Sequence, residues 1–228
     1  KRLSMTRLST MFLSIYLFAC FIMVTDPVTW VYTYHAESGR PPDEAGWSSP
    51  TDLRVTAAKR TYLGPFTNPS VSIDPGLLPE HDTLVVSFTV YILGSWDGVV
   101  DGDALTVVID DTDTIVHTTF SNTTFAQHHP DRMGGRRHPR RTGADEVDVT
   151  GWTFTEPNVF NGPLDAAYIF TVRRPHGSRS CRIRFTGSLR DVRPLPANEA
   201  WGIDDVHIGV VRRVLTVPND EPAVVPGR

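Results

Sequence analysis

The stretch TLVVSFTVYIL, residues 83–93, is the longest run of β-favouring residues in the chain. Leu84, Val86, Phe88, Val90 and Ile92 alternate with Val85, Ser87, Thr89 and Tyr91, which sends the two sets to opposite faces of an extended strand. With apolar residues on both faces, the stretch reads as a central strand covered on two sides. Downstream, ALTVVID (104–110) and TIVHTTF (114–120) flank Asp110-Asp-Thr-Asp113, whose short polar side chains suit a hairpin turn. Further strands are predicted over 167–173, 180–187 and 201–211, with Pro175-His-Gly177 as another turn. The 18 prolines and 17 glycines are scattered evenly, and beyond an N-terminal apolar run no stretch keeps a helical period. Together these features predict an all-β fold, a two-sheet antiparallel sandwich over residues 47–211.

The chain opens KRLSMTRLSTMFLSIYLFACFIMV, in which Lys1, Arg2 and Arg7 precede an apolar run from Leu8 to Val24. Such a run fits either a signal peptide or a retained membrane helix, since about 17 apolar residues is the lower limit for spanning the hydrocarbon core. A small-x-small cleavage site is missing after it, and Leu17-Phe-Ala-Cys20 matches a lipobox only loosely. The expectation is therefore a retained anchor: one transmembrane helix within residues 1–34, with Trp30, Tyr32 and Tyr34 as an aromatic belt at headgroup level. His35 reads as a polar anchor at the same interface. A polar linker over 35–46 and an extended Pro-rich tail over 212–228 would frame the sandwich. That arrangement predicts a single-pass protein of the cell inner membrane with its β domain on the periplasmic side. Cys20, in the anchor, cannot pair with Cys181, so the core must hold the domain without a disulfide. A formal net charge of −4 gives no reason to expect a nucleic-acid partner.

LGPFTNPSVSI (63–73), GLLP (76–79), VVSFTVYILGSWDG (85–98), TTFSN (118–122) and AWGIDDV (200–206) carry a resemblance. The chain resembles the jelly-roll, concanavalin-like β-sandwich domain found in secreted and cell-surface bacterial proteins, over about residues 47–208. The resemblance implies the fold and says little about activity, because this architecture hosts binding modules far more often than enzymes.

Asp97, Asp101 and Asp103 in WDGVVDGD offer carboxylates on tight glycine turns of the kind Ca²⁺ uses, with Asp204 near them if the closing strand pairs alongside. The loop lacks the final Glu and flanking helices of an EF-hand, and the competing reading is a solvated Asp/Gly turn. In AQHHPDRMGGRRHPRRTGADE (126–146), Arg132, Arg136, Arg137, Arg140 and Arg141 concentrate positive charge suited to lipid phosphates or a partner's carboxylates. The other reading of that segment is a mobile, solvated loop. His128, His129 and His138 within it show no metal-ligand spacing and read as surface residues.

No nucleophile elbow, Walker loop or dinucleotide fingerprint occurs. Glu146, Glu156 and Glu199 are the glutamates placed to face a glycosidase cleft, and Glu199 reads as a solvating residue at a strand start. Enzymatic activity is therefore not expected. Trp96, Trp152 and Trp201, with Asp97 and Asn122, would form a sugar-binding face if the rings are exposed; core packing is the competing reading for Trp96 and Trp201.

The expected function is that of a non-enzymatic, membrane-anchored scaffold subunit of a larger bacterial membrane complex, such as a photosynthetic reaction centre with its light-harvesting antenna or a respiratory complex. Its partners would be integral membrane subunits and membrane lipid, with no cofactor required and Ca²⁺ as the one candidate. The alternative is a secreted or surface carbohydrate-binding module, stabilised by Ca²⁺, whose partner is a sugar.

Overall fold

The computed structural model describes residues 27–40, 45–48, 53–55, 60–156, 160–192 and 198–212. In chain order the strands are β1 (Thr29–Tyr34), β2 (Leu53–Val55), β3 (Thr61–Phe66), β4 (Val71–Ile73), β5 (Thr83–Gly94), β6 (Ala104–Ile109) and β7 (Asp113–Thr119). They continue as β8 (Glu146–Val147), β9 (Thr153–Glu156), β10 (Phe160–Pro163), β11 (Asp165–Pro175), β12 (Ile183–Ser188) and β13 (Glu199–Val211). One sheet runs β2-β3-β13-β5-β11-β8, with β1 also paired to β13, and the other runs β4-β12-β6-β7, while β9 and β10 form a separate hairpin. All pairings are antiparallel. The chain is an all-β, two-sheet sandwich of the jelly-roll, concanavalin-like kind that the motifs implied.

The alternation in residues 83–93 accounts for the centre of the molecule. Leu84, Val86, Phe88, Val90 and Ile92 are fully buried and face the second sheet, where Phe88 meets Phe185 of β12 edge-on at 5.1 Å. On the other face of β5, Tyr91 and Leu93 pack with Tyr62, Ala167 and Ala200 beneath Val149 and Trp152. Each fully buried large apolar side chain contributes roughly 1.5–3 kcal/mol, so a strand buried on both faces anchors the sandwich. The β6–β7 hairpin closes where predicted. Asp110 and Asp111 hold φ of 49° and 60°, the left-handed conformations that a two-residue hairpin turn requires and Asp tolerates.

Strand β13 joins the main sheet together. One edge pairs with β5 from Glu199↔Gly94 to Val211↔Thr83. The other edge takes β3 through Trp201 and Ile203, then β1 through Val206 to Val210. A bulge between Asp204 and His207, with Asp205 at φ 49°, marks the changeover.

Strand β1 overturns the helix expected to reach residue 34. Thr29–Tyr34 is extended and paired with β13, so Trp30, Tyr32 and Tyr34 do not form a membrane belt. Tyr34 is buried against Trp47 at 5.7 Å, the Tyr32 hydroxyl donates to the Ala45 carbonyl at 2.9 Å, and Trp30 stands half-exposed beside His207. The reason is local: TWVYTY is a run of β-branched and aromatic residues, which favours a pleated strand wherever a partner edge is available. The sandwich thus starts before residue 47. Among the described residues no helix is long and apolar enough to cross a membrane, which corrects the single-pass inner-membrane placement. The run 8–24, Cys20 and the tail from residue 213 lie outside the described residues.

Candidate functional site

At one end of the sandwich, β5 turns into the acidic loop just where the chain enters β13. Gly94, at φ 83°, makes this possible, since a Cβ there would lie 1.8 Å from the Asn198 carbonyl oxygen. The close approach brings Asp97 and Asp103 against Glu199 and Asp191. Asp103 and Glu199 are both fully buried. Asp103 accepts from the backbone N–H groups of Asp97 at 2.9 Å and Arg190 at 3.3 Å, and Glu199 Oε2 accepts from that of Asp191 at 3.0 Å. Thr123 donates to Asp97 at 2.6 Å, and the Asn198 amide donates to Asp191 at 3.2 Å. Glu199 Oε1 is buried with no hydrogen-bond partner.

Burial, and then the neighbouring charge of Asp103, push the Glu199 carboxyl up to about 8. Burial likewise raises Asp103, and raises Asp97, which also feels Asp103, Asp101 and Asp191. Two buried carboxyls this strongly coupled either hold a proton between them or stay ionised around a cation. An all-oxygen donor set suits a hard cation such as Ca²⁺.

Of the expected Ca²⁺ ligands, Asp97 and Asp103 are joined through the Asp97 N–H, Asp101 acts on both through its charge, and Asp204 does not join them. Asp204 lies further along β13, where its carboxylate accepts from the Ala36 N–H at 2.8 Å and burial raises its pKa to about 7. Glu199 is fully buried rather than solvating a strand end, and its partner in the chain is set by the crossing at Gly94.

The basic loop is folded onto the sandwich rather than mobile. Its hub is Gln127, fully buried, which accepts from the N–H groups of Ser121 and Arg141 and donates to the carbonyls of His129 and Thr142. Four of the five arginines are engaged locally. Arg132 donates to the Thr114 carbonyl at 2.9 Å and Arg140 to that of Asn122 at 3.1 Å, while Arg136 pairs with Asp131 at 3.1 Å and Arg141 with Asp148 at 2.9 Å. Arg137 is exposed. Nor is His129 a surface residue: it stacks on Phe120 at 5.0 Å and meets Tyr168 edge-on, and burial pushes its pKa down to about 4.

The sugar-binding face expected of the tryptophans is absent. Trp96 and Trp201 are fully buried and donate to the carbonyls of Ala200 at 2.8 Å and Thr67 at 2.7 Å. Asn122 is equally buried, its amide bonded to the Ile92 and Gly94 carbonyls, and Trp152 is half-buried over β5. Glu146 pairs with Arg60 at 2.8 Å, and the side chain of Glu156 is not among those described.

A different concavity lies along the open flank of the sandwich. Strand β7 is the last in its sheet, and β11 meets β8 only at Ala166 and Ala167, so the two sheets part there beneath the basic loop. The groove holds about 260 Å³, with Val116 and Phe170 as apolar floor and His117, Asp131, Arg132 and Arg174 around it. Phe170 is held by stacking on Phe88 at 5.2 Å, and Arg174 by Asp113 at 3.3 Å. No motif marks this groove in the sequence, because its walls come from two strands and a loop far apart in the chain.

No protein-family model matches the chain, and no curated protein matches it. Among solved structures, a family 35 carbohydrate-binding module from Clostridium thermocellum is 8% identical with a TM-score of 0.36, the match covering 77% of this chain and 95% of the module. A carbohydrate-binding module of lichenase 5A from Cellvibrio mixtus, in complex with cellotriose, is 13% identical with a TM-score of 0.33, covering 81% of this chain and 100% of that one. An exo-β-1,3-galactanase from Phanerochaete chrysosporium is 11% identical with a TM-score of 0.34; the match covers 80% of this chain and only 29% of the galactanase. Similarity at this level assigns no activity, and nothing in the structure or among these proteins supports a subunit of a membrane complex.

Proposed function

We propose that the domain is a non-catalytic carbohydrate-binding module whose ligand lies in the groove between β7 and β11. The observation that carries this reading is the groove itself: an aromatic floor at Phe170, flanked by two imidazoles, a carboxylate and two guanidinium groups. Sugar recognition needs an apolar surface for the C–H face of the ring together with fixed donors and acceptors for its hydroxyls. A volume of about 260 Å³ admits one or two sugar units rather than a long chain. The paired carboxyls favour binding over cleavage. Asp103 and Glu199 are both fully buried and act directly on one another, whereas glycoside hydrolysis needs its two carboxyls facing an open cleft on either side of the bond. In this reading Ca²⁺ at Asp103 and Glu199, with Asp97 and Asp191 beside them, stiffens the end of the sandwich and takes no part in sugar contact.

The test is affinity electrophoresis of the full chain through gels containing neutral or uronate-bearing polysaccharides, in parallel with His117→Ala and Arg132→Ala. Retardation by at least one polysaccharide, lost in both variants, is the expected result. Unretarded migration in every gel, or retardation indifferent to both substitutions, would remove the proposal.

A further inference from the structure

At the opposite edge of the main sheet from this groove, the β13 bulge builds a second group of potential ligands. His35 follows β1 and enters the short 3₁₀ turn Ala36–Ser38, while Asp205 and His207 lie on the bulged stretch of β13 paired with β1. His35 Nδ1 and Asp205 Oδ1 are 2.6 Å apart, the His35 and His207 rings are 5.0 Å apart, and one ligand atom from each of the three residues falls within 4.8 Å of the others. From these positions we infer that His35, Asp205 and His207 form a binding site for a borderline divalent metal ion, Zn²⁺ above all, that fastens strand β1 to β13.

Several features converge on a metal of this class. Two imidazoles and one carboxylate are the donors that Zn²⁺ and its first-row neighbours take, whereas Ca²⁺ takes oxygen. The backbone fixes two of the three ligands: Val206 is buried in the core, so Asp205 and His207 on either side of it project outward together. Asp205 is carried at φ 49°, a conformation costly for most residues, which turns its carboxylate towards His35. The third ligand is held from behind, because the Ala36 N–H donates to Asp204 at 2.8 Å and ties the turn that carries His35 onto β13.

His207 Nδ1 is within 3.3 Å of the Thr33 hydroxyl, which orients the ring and leaves Nε2 for a metal, the usual arrangement behind a ligating histidine. Ligands at about 2.0 Å on a tetrahedral ion stand about 3.3 Å apart, so His35 and Asp205 need separate by less than an ångström, within reach of half-exposed side chains.

A metal here would act on β1. That strand is paired with β13 alone, and it is the segment through which residues upstream of the sandwich join the fold. A bond from His35 to Asp205 and His207 closes the open end of this pair, much as a disulfide would, in a domain whose one described cysteine is buried and unpaired.

The experiment is calorimetric titration of the full-length chain with ZnCl₂ in excess Ca²⁺, which occupies oxygen-only sites, for the native sequence and for His35→Ala, His207→Ala and, as a control, His128→Ala. One Zn²⁺ per chain is expected, with affinity reduced roughly tenfold or more in the first two variants and unchanged in the control. Hydrogen exchange at the amides of Trp30 to Tyr34 should slow when Zn²⁺ is added. Trp30 lies edge-on to His207 at 5.6 Å, so Cu²⁺ should also quench its fluorescence in the unmutated chain, a readout independent of how any variant folds. A flat isotherm, or binding that survives in both His35→Ala and His207→Ala, overturns the site, and unchanged exchange over β1 overturns its role as a fastening.

Discussion

Replacing Glu199 with glutamine tests whether the buried carboxylate pair is a liability that a cation relieves. The folded chain moves this carboxyl from its ordinary 4.5 to about 8, through burial and then the charge of Asp103. Between pH 4.5 and 8 the folded state therefore keeps a proton that the unfolded chain has released. With more protons bound to the folded state, stability is full at acid pH and falls as pH rises through this window. At about 1.4 kcal/mol per unit the loss has a ceiling of ~5 kcal/mol, and because Glu199 titrates jointly with Asp103 the loss falls below that ceiling. For a domain of this size each kcal/mol lost corresponds to about 2–4 °C in Tm, so the expected change is several degrees.

The assay is thermal unfolding of the full chain in EGTA, from about pH 5 to about pH 8, with and without added CaCl₂. In EGTA the native sequence should lose several degrees as pH rises, and Ca²⁺ should restore them by replacing the proton. Glu199→Gln, whose amide can donate to Asp103, should show a flatter profile and little response to Ca²⁺. Asp204 is also raised, to about 7 by burial, and adds a slope of the same sign to both chains, so it cancels in the difference. A native Tm that holds or rises with pH in EGTA, or a variant that keeps the full slope, would refute the reasoning.

Gln127→Leu should release the basic loop, since it leaves the partners of four hydrogen bonds unsatisfied, at a cost of about 1–3 kcal/mol. Limited trypsin digestion should then cut faster between Arg132 and Arg141, and the urea midpoint should fall. Cys181 should resist iodoacetamide in the folded chain, because burial pushes its thiol up to about 12 and leaves almost no thiolate; mass mapping of its peptide with and without urea checks this.

How much of this was legible varies with the range over which each feature is decided. Strand β5 was readable because its alternation is local and both faces are apolar, and the Asp110–Asp113 turn because the residues themselves favour left-handed backbone. Strand β1 was not. TWVYTY has the composition of a membrane interface as well as of an edge strand, and what decides between them is β13, which pairs Thr29 with Val210. Counting arginines in residues 126–146 showed the charge and missed Gln127, whose side chain converts that stretch into a folded layer. Three of the four expected Ca²⁺ ligands lie in one short loop and could be grouped by spacing, whereas Glu199 reaches them only through the crossing at Gly94. The groove had no signature at all, being a gap between sheets.

The position of β13 also sets the order in which the protein can be made. It is the partner of β1, β3 and β5, yet among the described strands it is synthesised last. Until residues 199–211 emerge from the ribosome, β1 has no partner and β3 and β5, paired only with β2 and β11, each keep one edge open, and contacts such as Thr29↔Val210 then span most of the sequence. Such non-local pairing makes folding slow, and unpaired strand edges invite association between nascent chains. The main sheet is thus completed only once β13 has emerged, and a chain stopped before β13 leaves its hydrophobic strands open to chaperones or aggregation.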